Sequence, residues 1–250
     1  MALQEEFEEQ GIWLFRYRGV LPIIILVVAT FLFLRTELYP ETFILKNTAY
    51  EIYFEMFALL VSLFGLAIRV YTVGHTPENT SGRNVTEQVA DSLNSTGIYS
   101  TVRHPLYLGN FFMWLGPAFL TGSAWFIIAF CLFYWIYYER IMFAEEQFLR
   151  RKFGNIYTDW AKNVPAFIPS FKNFKSPSLP LSMKKVLKKE KNGLAAVFLI
   201  FSAFDIIGEV IKKEINYNYY LIIATVLIFI LYLVLKFLKR RTSILDETGR

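Results

Sequence analysis

Thr96-Gly97-Ile98-Tyr99-Ser100-Thr101-Val102-Arg103-His104-Pro105-Leu106-Tyr107-Leu108-Gly109 carries one of the chain's two histidines and leads directly into an apolar block. Pro105 suits the first turn of a helix, where its missing N–H is not needed. The N–H groups that follow, near Leu106 and Tyr107, form a partly positive site for a carboxylate, and Arg103 and His104 strengthen it. Gly109 gives backbone clearance one turn later. The same residues also suit plainer roles: Arg103 as an interface anchor, His104 as a helix cap, and the tyrosines as an aromatic belt. Residue types alone leave both options open.

A second group is Glu139-Arg140-Ile141-Met142-Phe143-Ala144-Glu145-Glu146, at the end of another apolar block. Two adjacent carboxylates there suit ribose hydroxyls, an amino group or a sulfonium. Glu146 has Arg150 at i+4 for an ordinary surface ion pair. Glu145 has Leu149 at that spacing, so the local explanation is weaker. Asp205 and Glu209 lie one turn apart in a later apolar block, where acids default to functional suspects; Glu209 has Lys213 within reach. No Walker A loop, Gly-x-Gly-x-x-Gly, His-Glu-x-x-His or Gly-x-Ser-x-Gly is present. A nucleotide-like cofactor would have to be held by helix ends and loops. The single cysteine, Cys131, rules out an internal disulfide and a cysteine zinc site.

The elements that must position these groups are membrane helices. Apolar residues make up 55% of the chain and charged ones 19%, and the apolar excess is blocked rather than dispersed. The blocks are Val20–Leu34, Tyr53–Val73, Leu106–Gly122, Ala124–Tyr138, Leu194–Ile211 and Tyr219–Leu238. Phe15 and Tyr17 are candidates to extend the first. The joint at Gly122-Ser123 predicts a helical hairpin, with Gly116-Pro117 kinking its first arm. The acidic opening predicts no cleavable signal peptide. Six spans place both termini on one side. Of the 26 Lys and Arg, 22 then fall in segments 1–19, 69–105, 139–192 and 236–250, and that bias makes this side cytoplasmic. Both polar groups flank the hairpin on this side. The sequons at Asn79, Asn84 and Asn94 become turn residues rather than glycosylation sites. The basic stretch of Phe171–Asn192, with Lys184, Lys185, Lys188, Lys189 and Lys191, reads as a linker lying on anionic lipid headgroups, not on nucleic acid.

Gly97 to Gly109 resembles the Arg-His-Pro-x-Tyr-x-Gly element of the isoprenylcysteine carboxyl methyltransferase family, whose arrangement the phospholipid methyltransferases share. Glu145-Glu146, Phe153-Gly154, Tyr157 and Val164-Pro165 are similar to that family's second element. The likeness covers about residues 50–170. It implies a membrane methyltransferase that binds S-adenosylmethionine, leaving S-adenosylhomocysteine, between the hairpin and the cytoplasmic loops. By motif position it implies cofactor contacts from Tyr99, His104, Pro105, Leu106, Tyr107, Gly109 and Glu145, and from Gln88, Ser92, Leu93 and Asn94 of the preceding loop. The family's substrate-facing arginine lies four residues before the glutamate, where this chain has Ile141. Orientation of the acceptor then falls to Arg140 or Arg103.

The expected protein is all-α and polytopic, with about six transmembrane helices, a helical hairpin and a cytoplasmic cofactor pocket. The expected division is 1–52 for the first span and loop, 53–170 for the methyltransferase core, and 171–250 for the basic linker and two further spans. The expected activity is methyl transfer to a lipid or lipid-modified acceptor that enters from the bilayer. An NADPH-dependent reductase of the sterol or steroid type and a non-enzymatic transporter or scaffold are the alternatives. No metal site is expected.

Overall fold

A computed structural model of the chain describes residues 2–80, 90–213 and 215–250. Eight α-helices and two short 3-10 helices, Pro40–Thr42 and Ile98–Ser100, account for the regular structure of these residues; the α-helices are α1 (Leu3–Arg16), α2 (Val20–Leu38), α3 (Glu51–Gly74), α4 (Pro105–Leu120), α5 (Ala124–Phe153), α6 (Asn155–Ala161), α7 (Met183–Lys212) and α8 (Tyr219–Arg241). Five of them, α2, α3, α5, α7 and α8, are long and apolar enough to cross a membrane. The protein is an integral, multi-pass membrane protein. At 16 residues α4 rises only about 24 Å, short of a hydrocarbon core of about 30 Å. The sixth expected span is therefore a short helix, one arm of the hairpin whose other arm is α5. Within α8 only Thr225 and Leu235 are buried, as befits a helix whose remaining surface meets lipid.

Small residues let α3 and α4 approach closely, the usual way apolar helices pack in lipid. A β-carbon on Gly65 would lie 2.4 Å from the Gly109 carbonyl oxygen, and one on Gly116 would lie 2.0 Å from Ser62 Oγ. Ser62 donates to the Met113 carbonyl at 2.9 Å. The helix passes through the buried Pro117 and ends at Leu120. Gly122, at φ +64°, then turns the chain, and Ser123 caps α5 by accepting from the Phe126 N–H. The 30 residues of α5 rise about 45 Å, so its charged second half extends beyond the apolar slab.

Three expectations about the flanks change. Phe15 and Tyr17 do not extend the first span: the chain forms a separate amphipathic helix, α1, that packs on the charged half of α5. Gly11 permits the contact, since a β-carbon there would lie 2.1 Å from the Arg140 carbonyl oxygen. Tyr137 donates to the Leu14 carbonyl at 3.1 Å. The basic linker is in large part helix, because Ser182 caps α7 and the lysine run forms its first turns. Lys185 is turned inward, away from any headgroup: its Nζ donates to the Thr76 carbonyl at 2.6 Å and to the Pro77 carbonyl at 3.0 Å, just past the end of α3. Lys191 is likewise buried. At the far end of the bundle Glu209 lies 3.8 Å from Lys212, its basic partner among the described residues, rather than pairing with Lys213. Asp205 and Glu209 accept from the N–H groups of Asn218 and Asn216 at 3.1 and 3.0 Å, closing the turn between α7 and α8.

Candidate cofactor and acceptor cavity

The two polar sequence elements meet. Arg103 N–H donates to the Pro165 carbonyl at 2.9 Å and His104 N–H to the Ala166 carbonyl at 3.2 Å. Ser170 N–H donates to the Thr101 carbonyl at 2.9 Å. The Val164-Pro165-Ala166 stretch thus braces the backbone that leads into α4. Gly154, at φ +53°, makes the break between α5 and α6 that carries the chain back to this position.

Side chains complete the joint. His104 Nε2 lies 3.0 Å from Glu146 Oε1, and Arg103 Nη1 donates to Glu146 Oε2 at 3.1 Å. Glu145 turns the other way: Tyr107 donates its hydroxyl to Oε2 at 3.0 Å, and His104 Nδ1 lies 3.6 Å from the same oxygen. Tyr134 donates to the Tyr107 carbonyl at 2.8 Å and fixes that turn of α4. His104 is buried, which opposes its charge, but the hydrogen bonds and charges of Glu145 and Glu146 outweigh burial and raise its pKa to about 9. It is therefore an imidazolium at neutral pH, held between two carboxylates. The expected surface pair of Glu146 with Arg150 gives way to this arrangement, because α5 packs with Glu146 facing the start of α4.

Beside this joint lies a cavity of about 690 Å³. Ser92, Leu93, Asn94, Tyr99, Arg103, His104, Pro105, Leu106, Tyr107 and Glu145 line its polar end. Met113, Trp114 and Pro117 of α4, Pro22 of α2, and Val197 and Ile200 of α7 line its apolar end. Gln88 and Asn84 lie outside the described residues. Asn94 Nδ2 donates to the Thr80 carbonyl at 3.3 Å, and Asn79 takes a turn conformation at φ +55°.

Two sequence-expected residues are not among those lining the cavity. Gly109 spends its clearance on α3, as a β-carbon there would lie 2.8 Å from the Gly65 carbonyl oxygen. Arg140 stacks 3.5 Å over the Phe7 ring and pairs with Glu139 at 3.2 Å, because α1 occupies its face of α5. Residues that sequence reasoning passed over do line it: Arg18, Arg69, Asn110, Lys189, Glu190 and Asn192. Arg69, a lone cation near the end of an apolar helix, carried a usable signal. Glu190 lies in a lysine-rich stretch whose residue types do not mark which side of the helix faces the cavity.

Such a site offers a polar chamber with fixed charges of both signs, open to an apolar one. Its size is that of a site for a small cofactor together with part of a second molecule. Among the described residues no cluster of His, Cys, Asp and Glu is suited to a metal ion.

Residues 54–156 match the family model described as phospholipid methyltransferase. The nickel-cobalt-cadmium resistance protein NccN of Alcaligenes xylosoxydans xylosoxydans is 33% identical over 123 residues, 48% of this chain and 55% of that protein. The protein-S-isoprenylcysteine O-methyltransferase of Schizosaccharomyces pombe is 40% identical over 78 residues, 31% of this chain and 33% of that protein. That of Xenopus laevis is 28% identical over 148 residues, 57% of this chain and 48% of that protein. The chain thus spans about half the length, or less, of these curated relatives. No solved structure matches it.

Proposed function

We propose that residues 54–156, which match the phospholipid methyltransferase family model, form the core of an enzyme that transfers a methyl group from S-adenosylmethionine to a lipid-modified acceptor at the membrane. The observation that carries this is one cavity joining a charged chamber to an apolar one. The cofactor, when bound, supplies an electrophilic methyl on a sulfonium. The residues at the polar end fit such a group. Glu145 presents a carboxylate to the cavity, steadied by Tyr107 and His104. Ser92, Asn94 and Tyr99 supply polar contacts suited to ribose or a base edge. Arg103 and His104, tied to Glu146, stand where a carboxylate would meet the start of α4.

An anionic acceptor oxygen carries no proton to remove. This chain then has to bind, align and exclude water, and no residue has to act as a base. Residues 53–170 are the methyltransferase core of this proposal, with 1–52 and 171–250 as its flanks, and the polar chamber faces the cytoplasm with both termini. Exposed lysines such as Lys184 remain available to anionic headgroups.

Binding of S-adenosylhomocysteine to the purified protein in detergent, measured by calorimetry, tests the cofactor assignment. Transfer of labelled methyl into a total membrane extract and into N-acetyl-S-farnesylcysteine tests the acceptor. Affinity for NADPH in place of S-adenosylhomocysteine would refute the proposal in favour of a reductase, and affinity for neither would refute an enzymatic role.

A further inference from the structure

We propose that Arg69 is the residue that meets the acceptor's headgroup, positioned for this by Glu190 of α7; the inference rests on the methyl-transfer proposal above. A lone arginine near the end of an apolar helix requires partners, a ligand or both. Its stem passes α4 at Gly109, where a β-carbon would lie 2.6 Å from Arg69 Cγ. Beyond it the guanidinium meets Glu190 in a two-pronged pair, Nε to Oε2 and Nη2 to Oε1, each at 2.8 Å. Nη1 donates to Asn110 Oδ1 at 2.8 Å. A guanidinium has five N–H donors, and these contacts take three.

The level of this cluster decides its role. At about 1.5 Å per residue along α4, Asn110 lies about 4.5 Å deeper than Tyr107, and Trp114 about 6 Å deeper still. Arg69, Asn110 and Glu190 therefore stand where the polar chamber gives way to the apolar one. An acceptor with its tail in the apolar chamber and its reactive end toward Glu145 must place its headgroup beside them. Among the described residues that line the cavity, Arg18, Arg69, Arg103 and Lys189 are basic and Glu145 and Glu190 acidic, so the balance of residue types favours an anion. The chemical class is an oxyanion, carboxylate or phosphate, on an apolar tail.

Glu190 also ties α3 to α7, so the test must separate recognition from support. The full chain in detergent micelles is compared with Arg69→Lys and Glu190→Gln. Three readouts are taken: calorimetric binding of S-adenosylhomocysteine, the kinetics of methyl transfer to N-acetyl-S-farnesylcysteine, and thermal protection by that acid against protection by its carboxamide. Arg69→Lys should keep the S-adenosylhomocysteine Kd within about twofold while raising the KM of the acid about tenfold or more, with kcat less affected. It should barely change protection by the carboxamide. Glu190→Gln should shift the same KM in the same direction by a smaller factor. Where either variant fails to fold, Asn110→Asp places a carboxylate beside Nη1 without changing volume, and it should weaken the acid but not the carboxamide. Equal losses for acid and carboxamide, or equal losses for acid and S-adenosylhomocysteine, would overturn the assignment. So would a wild type that binds S-adenosylhomocysteine yet neither methylates the acid nor prefers it to the carboxamide. A wild type that binds no S-adenosylhomocysteine overturns the methyl-transfer proposal itself.

Discussion

Replacing Glu146 by Gln keeps the shape of the side chain and removes one of the two charges that hold His104. The imidazole pKa stands at about 9 against an ordinary 6.5. That difference favours the imidazolium by about 3 kcal/mol. The His104 side chain is only 5% exposed, so solvent screening takes little from this value. Two carboxylates share the raising effect while burial opposes it, so loss of one charge should remove at least half of the net shift and lower the pKa by about one unit or more. The folded-state pKa is raised, so the stabilisation is full below pH 6.5 and is lost as pH rises through about 9. Wild-type Tm in detergent should therefore fall between pH 7 and pH 9.5, and the Gln variant should begin with a lower Tm and lose less over that interval. The chain has two histidines, so labelled imidazole resonances are assignable from one His104→Gln spectrum. A wild-type His104 that titrates at or below 6.5, or a Glu146→Gln variant whose His104 titrates unchanged, would refute the assignment of Glu146 as its charged partner.

Glu145→Gln should weaken S-adenosylhomocysteine binding more than Glu146→Gln does, because Glu145 lines the cavity and Glu146 stands behind it; equal Kd changes by calorimetry would contradict this. Gly109→Ala puts a β-carbon 2.6 Å from Arg69 Cγ and 2.8 Å from the Gly65 carbonyl oxygen, and should cost about 1–3 kcal/mol, read as a lower Tm. Lys185→Met leaves the carbonyls of Thr76 and Pro77 without their ammonium partner, and should destabilise by about 1–3 kcal/mol in thermal unfolding. Arg140→Ala should leave methyl-transfer kinetics within about twofold of wild type, since its guanidinium rests on Phe7 outside the cavity.

By itself the sequence determined whatever depends on neighbours along the chain. Blocked apolar composition set the helices, because a backbone in lipid must satisfy its own hydrogen bonds. Pro105 marked the start of α4, and Gly122-Ser123 marked the hairpin. The Arg103-His104-Pro105 and Glu145 elements were legible because their residue types stand out in an apolar setting. Tertiary structure decided which groups face one another. Along α5, Glu146 has Arg150 as its local partner, yet packing turns it to Arg103 and His104, more than forty positions earlier in the chain. Arg140 and Gly109 looked available from spacing alone, but α1 covers one and α3 presses on the other. Arg69 and Glu190 are separated by 121 positions, and only the crossing of α3, α4 and α7 brings them to a 2.8 Å pair. Local periodicity sets which face of a helix is apolar. The closeness of small residues between helices sets which polar side chains reach through to meet, and that information lies in the contact itself.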